Sequence, residues 1–453
     1  MRRKFFIVCG ALILGGCAVG PNYKRPEVPA PPAFRAGEAQ PAQTSFGDMK
    51  WFDLFQDEIL RGLIQEALKA NYDVRIAAQR VLEAQGQLTA TRSALFPQLD
   101  GQASAARNGL NSPIQSTAGG FGVASWEIDL FGKLRRATEA ARADMLAQEE
   151  IQKAVIQSLV SRVANAYFSL RELDAELGYV RESLKTRQES LRLVIAREEG
   201  GVASMLDVDQ ARTLVESAQV TVALLEKAQE QTENIINFLL GKQPGPVARG
   251  KALDEQPQPP QVPAGLPSAL LDRRPDLRVA EQQLVAANAR VGVAKAAFFP
   301  SINLTAIGGY QSSDLLGVVS KTGFGYSMGG VFDLPIFDAG RRSGNYKTAK
   351  AVHEEALIAY QKAVNGAFQD VSNSLVGYQK TKESTASQKN LADTLRDQSR
   401  LSNIRYIGGV TSYLEVLDTE RQRLTAEQQL AQAQRDELTS LVQLYNSLGG
   451  GWQ

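Results

Sequence analysis

Glu415 and Asp418 are the chain's most suggestive pair of titratable side chains. A spacing of three puts both on one face of a helix. A symmetric assembly would gather such pairs into a ring of carboxylates, which resist simultaneous ionisation and attract cations. The chemistry that follows is a narrow, cation-favouring constriction rather than catalysis. Related acids flank two similar turns: Glu198, Glu199, Asp207 and Asp209 lie around Gly200-Gly201-Val202, and Glu415, Asp418 and Glu420 follow Gly408-Gly409-Val410. A solvated face is the plain alternative for such a cluster. Other chemistry has little to work with. One histidine, His353 on a charged stretch, and two cysteines, Cys9 and Cys17, cannot supply a His/Cys zinc site, a Cys–His nucleophile pair or a disulfide framework. Gly119-Gly120-Phe121-Gly122 and Gly323-Phe324-Gly325 lack the Lys-Ser/Thr of a phosphate loop, and five scattered methionines suggest no soft-metal relay. The expectation is a non-enzyme without cofactor or metal.

The elements that must position these acids are long. The 453 residues carry 50 basic and 49 acidic side chains, so no net field recruits nucleic acid. Proline is absent from 114–243 and from 336 onward, and since it costs about 3 kcal/mol inside a helix, those gaps are where very long helices fit. The N-terminus has a different character. Met1-Arg2-Arg3-Lys4 precedes a short apolar run, Phe5 to Leu14, closed by Leu14-Gly15-Gly16-Cys17. The run falls short of the roughly 20 residues a bilayer needs and reads as a cleavable signal. The small pair before Cys17 resembles the lipobox of bacterial lipoproteins, which implies that Cys17 becomes the lipidated first residue. Ala18, in place of an aspartate, favours outer-membrane sorting.

The chain repeats itself. Ala94-Leu95-Phe96-Pro97 returns as Ala297-Phe298-Phe299-Pro300, an offset of 203. Asp129-Leu130-Phe131-Gly132 has a counterpart in Phe337-Asp338-Ala339-Gly340, and Gly200-Gly201-Val202 and Leu240-Gly241 return at an offset of 208 as Gly408-Gly409-Val410 and Leu448-Gly449. The organisation expected is a signal peptide at 1–16, a lipid-anchored segment at 17–56, a first repeat at 57–241, a Pro-rich linker at 242–271, a second repeat at 272–449 and a tail at 450–453. Each repeat reads helix, strand pair, very long helix, helix. From Gly132 to about Glu198 apolar residues recur every 3.5 positions, from Ile156 and Val160 to Val180 and Leu184, and Leu357 to Tyr378 does the same. That period means helices packed side by side with a left-handed supercoil. About 66 residues at 1.5 Å each is roughly 100 Å. The helices at 73–95 and 204–239, stacked end to end, would match it, placing the strands at one extremity and the Gly-Gly-Val turns at the other.

The strand pairs, about 99–131 and 302–337, alternate. Phe324, Tyr326, Met328, Gly330, Phe332, Leu334 and Ile336 stand against Gly325, Ser327, Gly329, Val331 and Asp333, and Ile302, Leu304, Ala306, Gly308 and Tyr310 against Asn303, Thr305, Ile307 and Gly309. Trp126, Ile128 and Leu130 repeat the theme beside a weaker Gly/Ala-rich partner at 99–107. Apolar-out, polar-in strands of about ten residues are the mark of a transmembrane β-barrel. Four strands per chain cannot close one, because eight is the smallest number observed and an open edge in lipid is not tolerated. Two, three or four chains would give eight, twelve or sixteen strands.

Cys17-Ala18-Val19-Gly20-Pro21-Asn22-Tyr23-Lys24-Arg25-Pro26, Trp51-Phe52 with Phe55, Asp57 and Leu60, and Arg273-Arg274-Pro275-Asp276-Leu277 are similar to the outer-membrane factor lipoproteins of resistance–nodulation–division efflux systems, relatives of TolC. The resemblance covers essentially the whole mature chain. It implies a homotrimer: a twelve-stranded outer-membrane β-barrel continued by a periplasmic α-helical barrel, acting as the exit duct of a tripartite pump. Its partners would be outer-membrane lipid, a periplasmic membrane-fusion adaptor and an inner-membrane transporter of that class. By the same resemblance Glu415 and Asp418 match an acidic constriction, with six carboxylates in the trimer. Tyr406 and Asp207 match a tyrosine and aspartate whose bond holds the periplasmic end closed, and Gly200, Gly201, Gly408 and Gly409 make the tip turns. Thr411 stands where TolC has an arginine in that network. A lipid-anchored coiled-coil scaffold and the duct of a protein secretion system are the competing readings.

Overall fold

The computed structural model describes residues 18–29, 31–34, 45–108, 115–256, 262–265, 267–312 and 324–452. The signal peptide and Cys17 lie outside them. In chain order the helices are α1 (Trp51–Leu54), α2 (Glu58–Ala70), α3 (Tyr72–Ser93), α4 (Lys133–Glu199), α5 (Met205–Leu239), α6 (Leu270–Arg273), α7 (Pro275–Ala296), α8 (Arg341–Ile407) and α9 (Tyr413–Ser447). The strands are β1 (Gln98–Asn108), β2 (Gln115–Ile128), β3 (Ser301–Ser312) and β4 (Phe324–Asp333).

The duplication is written in helix lengths. α4 and α8 have 67 residues each, α5 and α9 have 35, and α3 and α7 have 22. The long pair starts at matched caps: Asp129 accepts from the backbone N–H of Leu134 and Arg135, and Asp338 from Gly340 and Arg342. Such caps satisfy donors that a helix start otherwise leaves unpaired. The two compact units do not coincide with the two repeats. One comprises 1–28, 78–151 and 276–363, the other 29–77, 152–275 and 364–453, so each draws on both repeats.

The first unit holds the sheet, in the order β1-β2-β3-β4 with every neighbouring pair antiparallel. The central β2–β3 pairing joins the repeats. Register aligns their apolar faces: Trp126 faces Leu304, Ile128 faces Ile302, Ala306 faces Met328 and Tyr310 faces Phe324. The opposite face carries Asp100, Gln102, Ser125, Glu127, Asn303, Thr305 and Ser327. Leu334 and Ile336, expected in the last strand, lie beyond it. Pro335 has no N–H to donate, and the ladder closes at Ser301 opposite Asp333. At the strand bases Phe131 stacks on Phe299 with centroids 4.7 Å apart, and Phe96, Phe298 and Phe337 stay exposed. The segment from Ala18 is strapped to this unit. Val19 donates to the Phe131 carbonyl, Asn288 to the Pro21 carbonyl and Arg136 to Asn22, while Arg25 and Tyr23 both donate to Glu281.

The second unit has a helical core. Along α4, Val160, Val163, Tyr167, Leu170, Leu177 and Val180 are buried; along α8, Tyr360, assigned to the first unit, and Val364, Val371, Leu375 and Tyr378 of this one are buried too. The expected 3.5-residue seam is therefore the packed face. Lys251 and Gln256, described residues of the linker at 242–271, are fastened to the start of α2. Asp57 caps α2 through Oδ1, accepting from Ile59 and Leu60, while its Oδ2 accepts from the Tyr167 hydroxyl, the Lys251 backbone and the Gln256 amide. Burial opposes its charge, yet these donors hold the carboxyl below its usual range.

Candidate functional site

The two Gly-Gly-Val turns close the helices of the second unit in the same way. Val202 donates to the Arg197 carbonyl and Gly201 to that of Glu198; Val410 and Gly409 repeat this with Arg405 and Tyr406. This is the Schellman arrangement, with glycine at the left-handed position: φ is +74° at Gly201 and +72° at Gly409. Gly200 and Gly408 precede them. Val194, Val208, Ala211, Tyr406 and Tyr413 form one buried cluster drawn from α4, α5, α8 and α9, so the two turns belong to a single packed end. Around it Val202, Met205, Leu206, Val410 and Leu414 remain exposed.

The acids divide into two groups. Glu415 accepts from Arg405 at 3.0 Å and from the Thr411 hydroxyl, and Asp418 accepts from Arg421 at 2.9 Å and Gln422 at 2.6 Å. They lie on one stretch of α9, but each carboxylate has an arginine, so the field of the pair is weaker than its acid count suggests. Thr411, in the place of an arginine, spends its hydroxyl on Glu415. The bond between Tyr406 and Asp207 implied by resemblance is not made. Asp207 is the third residue of α5 and forms a capping box with Ser204, whose backbone N–H and hydroxyl both reach its carboxylate and hold it below its usual range. The Tyr406 ring packs instead 5.2 Å from that of Tyr413, under the Arg197 guanidinium at 4.7 Å. His353 is partly exposed, its Nδ1 3.7 Å from Glu354. Among the described residues there is no His/Cys/Asp/Glu group fit to hold a metal ion.

A single chain therefore presents a four-stranded sheet with two bare edges and a helical end closed by paired turns. The family described as Outer membrane efflux protein matches residues 63–242 and 266–450. The chain belongs to that family. It is 37% identical to the toluene efflux pump outer membrane protein TtgC of Pseudomonas putida, over 98% of this chain and 94% of that one. It is 34% identical to the cation efflux system protein CusC of Escherichia coli, over 99% of each. The solved MtrE outer membrane channel of Neisseria gonorrhoeae, in its open state, superposes with a TM-score of 0.88 at 32% identity, covering 96% of this chain and 99% of that one. The protein is an outer-membrane efflux channel that reaches into the periplasm, the exit duct of its pump. Its fold is the trimeric one of these channels, a β-barrel continued by an α-helical barrel.

Sequence reasoning missed what the efflux channel buries beside its turns. Glu420, one of the acids that follow the second turn in the sequence, is buried with Arg423 and Glu427. Arg423 holds Glu420 through two nitrogens, at 2.7 and 3.1 Å, while Ser183 and Ser399 each donate to it at 3.0 Å. Burial works against this carboxylate, but Arg423 and the two serines hold it below the usual range. The available signal was spacing. Positions 413, 420, 423, 427 and 430 continue the 3.5-residue seam of α9, and charged residues in such a seam are enclosed whatever their type.

Further along, Glu172 of α4 is the converse case. Burial pushes its carboxyl up to about 7; Arg435, 3.2 Å away, opposes this, while Glu176 and Asp436 add to it. Glu176, bonded to Gln432, is raised by burial as well. A carboxyl with a raised folded-state pKa binds its proton more tightly than the unfolded chain does. Its contribution to stability is full below about 4.5 and falls as pH climbs towards about 7, where it levels. Glu172→Gln removes that loss, so its thermal midpoint should gain on wild type between pH 5 and pH 8. A difference between the two proteins that stays constant with pH would refute the assignment.

Proposed function

We propose that this channel closes as three copies around one lumen, that its two Gly-Gly-Val turns form the periplasmic gate, and that this end docks on a membrane-fusion adaptor coupled to an inner-membrane resistance–nodulation–division transporter. The bare edges of β1 and β4 carry the reading. Backbone donors and acceptors cannot stay unpaired in hydrocarbon, and three copies joined edge to edge give twelve strands and no free edge. The polar face of the sheet then lines an aqueous path for small toxic compounds, and the apolar face meets lipid. Tyr326 and Met328, 78% and 79% exposed in one chain, are the residues lipid would cover. Exposed Val202, Met205, Leu206, Val410 and Leu414 supply apolar contact for the adaptor.

The wall is tested by a matched pair. Met328→Arg puts a charge on the lipid face and should cost about 2–4 kcal/mol if near the midplane, whereas Ser327→Arg faces the lumen and should cost much less. Equal recovery of both as trimers from outer membranes would reverse the orientation.

The gate is tested electrically. Glu415 and Asp418 contribute six carboxylates to the trimer, partly offset by Arg405 and Arg421. Replacing both acids with alanine should raise single-channel conductance in planar bilayers by a factor of a few and reduce preference for cations. Conductance and selectivity equal to wild type would return these acids to a solvated surface.

Cys17 anchors the mature chain. The strap that follows it begins with Ala18 packed against Gly132, four residues after β2 ends. Several acyl chains plus a barrel hold permanently, where one chain binds only marginally. Cells fed radioactive palmitate should label wild-type protein and not Cys17→Ser; unlabelled wild type would end this claim.

A further inference from the structure

The network around Glu420 lines an open cleft of about 360 Å³ that neither conduction nor the gate acids require. Its charges are unevenly spent. Glu420 is committed to Arg423 and two serines, and Arg423 to Glu420 and Glu427. Glu182, which also lines the cavity, is exposed to solvent. Arg187 of α4 is different. It is only 9% exposed, its Nη1 donates to the Leu214 carbonyl at 3.1 Å, and its buried Nε–H meets no acceptor in the protein. No ion pair joins it to a carboxylate among the described residues. Burial lowers its pKa; Glu420 opposes that shift and Arg423 adds to it, which is the condition of a cation short of a counter-charge.

Hydroxyls complete the lining. Ser190, one turn along α4, lies 3.0 Å from the hydroxyl of Tyr413, the first residue of α9. Only one of those hydrogens is used between them, so the other is free to donate into the cavity. A guanidinium without an ion-pair partner and a free hydroxyl lining one cavity are the donor set that oxyanions select, because charge-assisted hydrogen bonds are the stronger ones.

We propose that this cavity is a binding site for a small oxyanion of phosphate type, with Arg187 as its charge and Ser190 and Tyr413 as its hydroxyl donors. The occupant bridges α4 and α9. The site does not depend on the acids at the turns, so its test is separate from that of the gate.

The experiment is a titration of the purified full-length channel in detergent with inorganic phosphate, against chloride at matched ionic strength, followed by thermal midpoint. A ligand that binds only the folded form raises the midpoint saturably. Wild type should respond to phosphate and not to chloride, and Arg187→Gln should weaken the response at least tenfold. Ser190→Asp provides a second route that keeps Arg187: its tethered carboxylate, one turn away, should occupy the site and abolish the phosphate response in a folded protein. No phosphate-specific shift in wild type, or an undiminished one in Ser190→Asp, would overturn the proposal.

Discussion

A backbone with nowhere to place its hydrogen bonds cannot stay in hydrocarbon, and that constraint governs the architecture of this channel. The sheet of one chain ends in β1 on one side and β4 on the other, and each edge presents a row of unpaired amides and carbonyls. In water, charges, bulges or a covering helix can blunt an edge. In a bilayer only closure removes it. Duplication halves the difficulty: β2 and β3, one from each repeat, pair over most of their length, so each chain needs to find partners at two edges instead of four. Neither compact unit is made from one repeat alone, and in the first the β2–β3 pairing joins the two repeats.

The helices solve a different problem with the same economy. A 67-residue helix exceeds any ordinary core, so its stability comes from a seam rather than from a centre. Apolar residues every 3.5 positions keep one stripe facing a neighbour along the length. Matched lengths of 67, 35 and 22 residues in both repeats keep the seams in step, and the same Schellman turns end the 67- and 35-residue helices at Gly201, Gly241, Gly409 and Gly449. The seam is not apolar throughout. Ser183 and Arg187 on α4, Ser399 and Ser402 on α8, and Glu420, Arg423 and Glu427 on α9 hold buried positions behind the apolar cluster at the turns.

How much of this the residues announce depends on whether the signal is a period or a partner. The repeats, the extents of α4 and α5 to within a residue, and the apolar faces of β3 and β4 follow from spacing, since geometry forces periodicity on any sequence that adopts them. Strand ends were less legible: alternation runs on through Leu334 and Ile336, and only Pro335 and the start of β3 at Ser301 stop the ladder. β1 and β2 carry little alternation because their many alanine, serine and glycine residues are too small to mark a face. The site was hardest. Asp207 reads equally well as an inter-helix partner and as the third residue of a capping box, and the nearby Ser204, three residues earlier, wins because a local bond costs less ordering than a distant one. Glu420 reads as solvated because acids usually are.

The division of acids near the turns then has a physical logic. Glu415 and Asp418 keep partial access to water and are paired with arginines on flexible stems, interactions worth little individually and easily exchanged. Glu420 and Glu427 are enclosed with Arg423, where breaking a pair strands a buried charge and costs far more than forming it gained. Separation of α9 from α4 and α8 must disturb the second group; in the first it breaks only the pair of Glu415 with Arg405 of α8, while Asp418 keeps Arg421 of its own helix. The exposed acids can thus tune what passes this end of the duct, while the enclosed ones set how firmly the helices that carry it are held together.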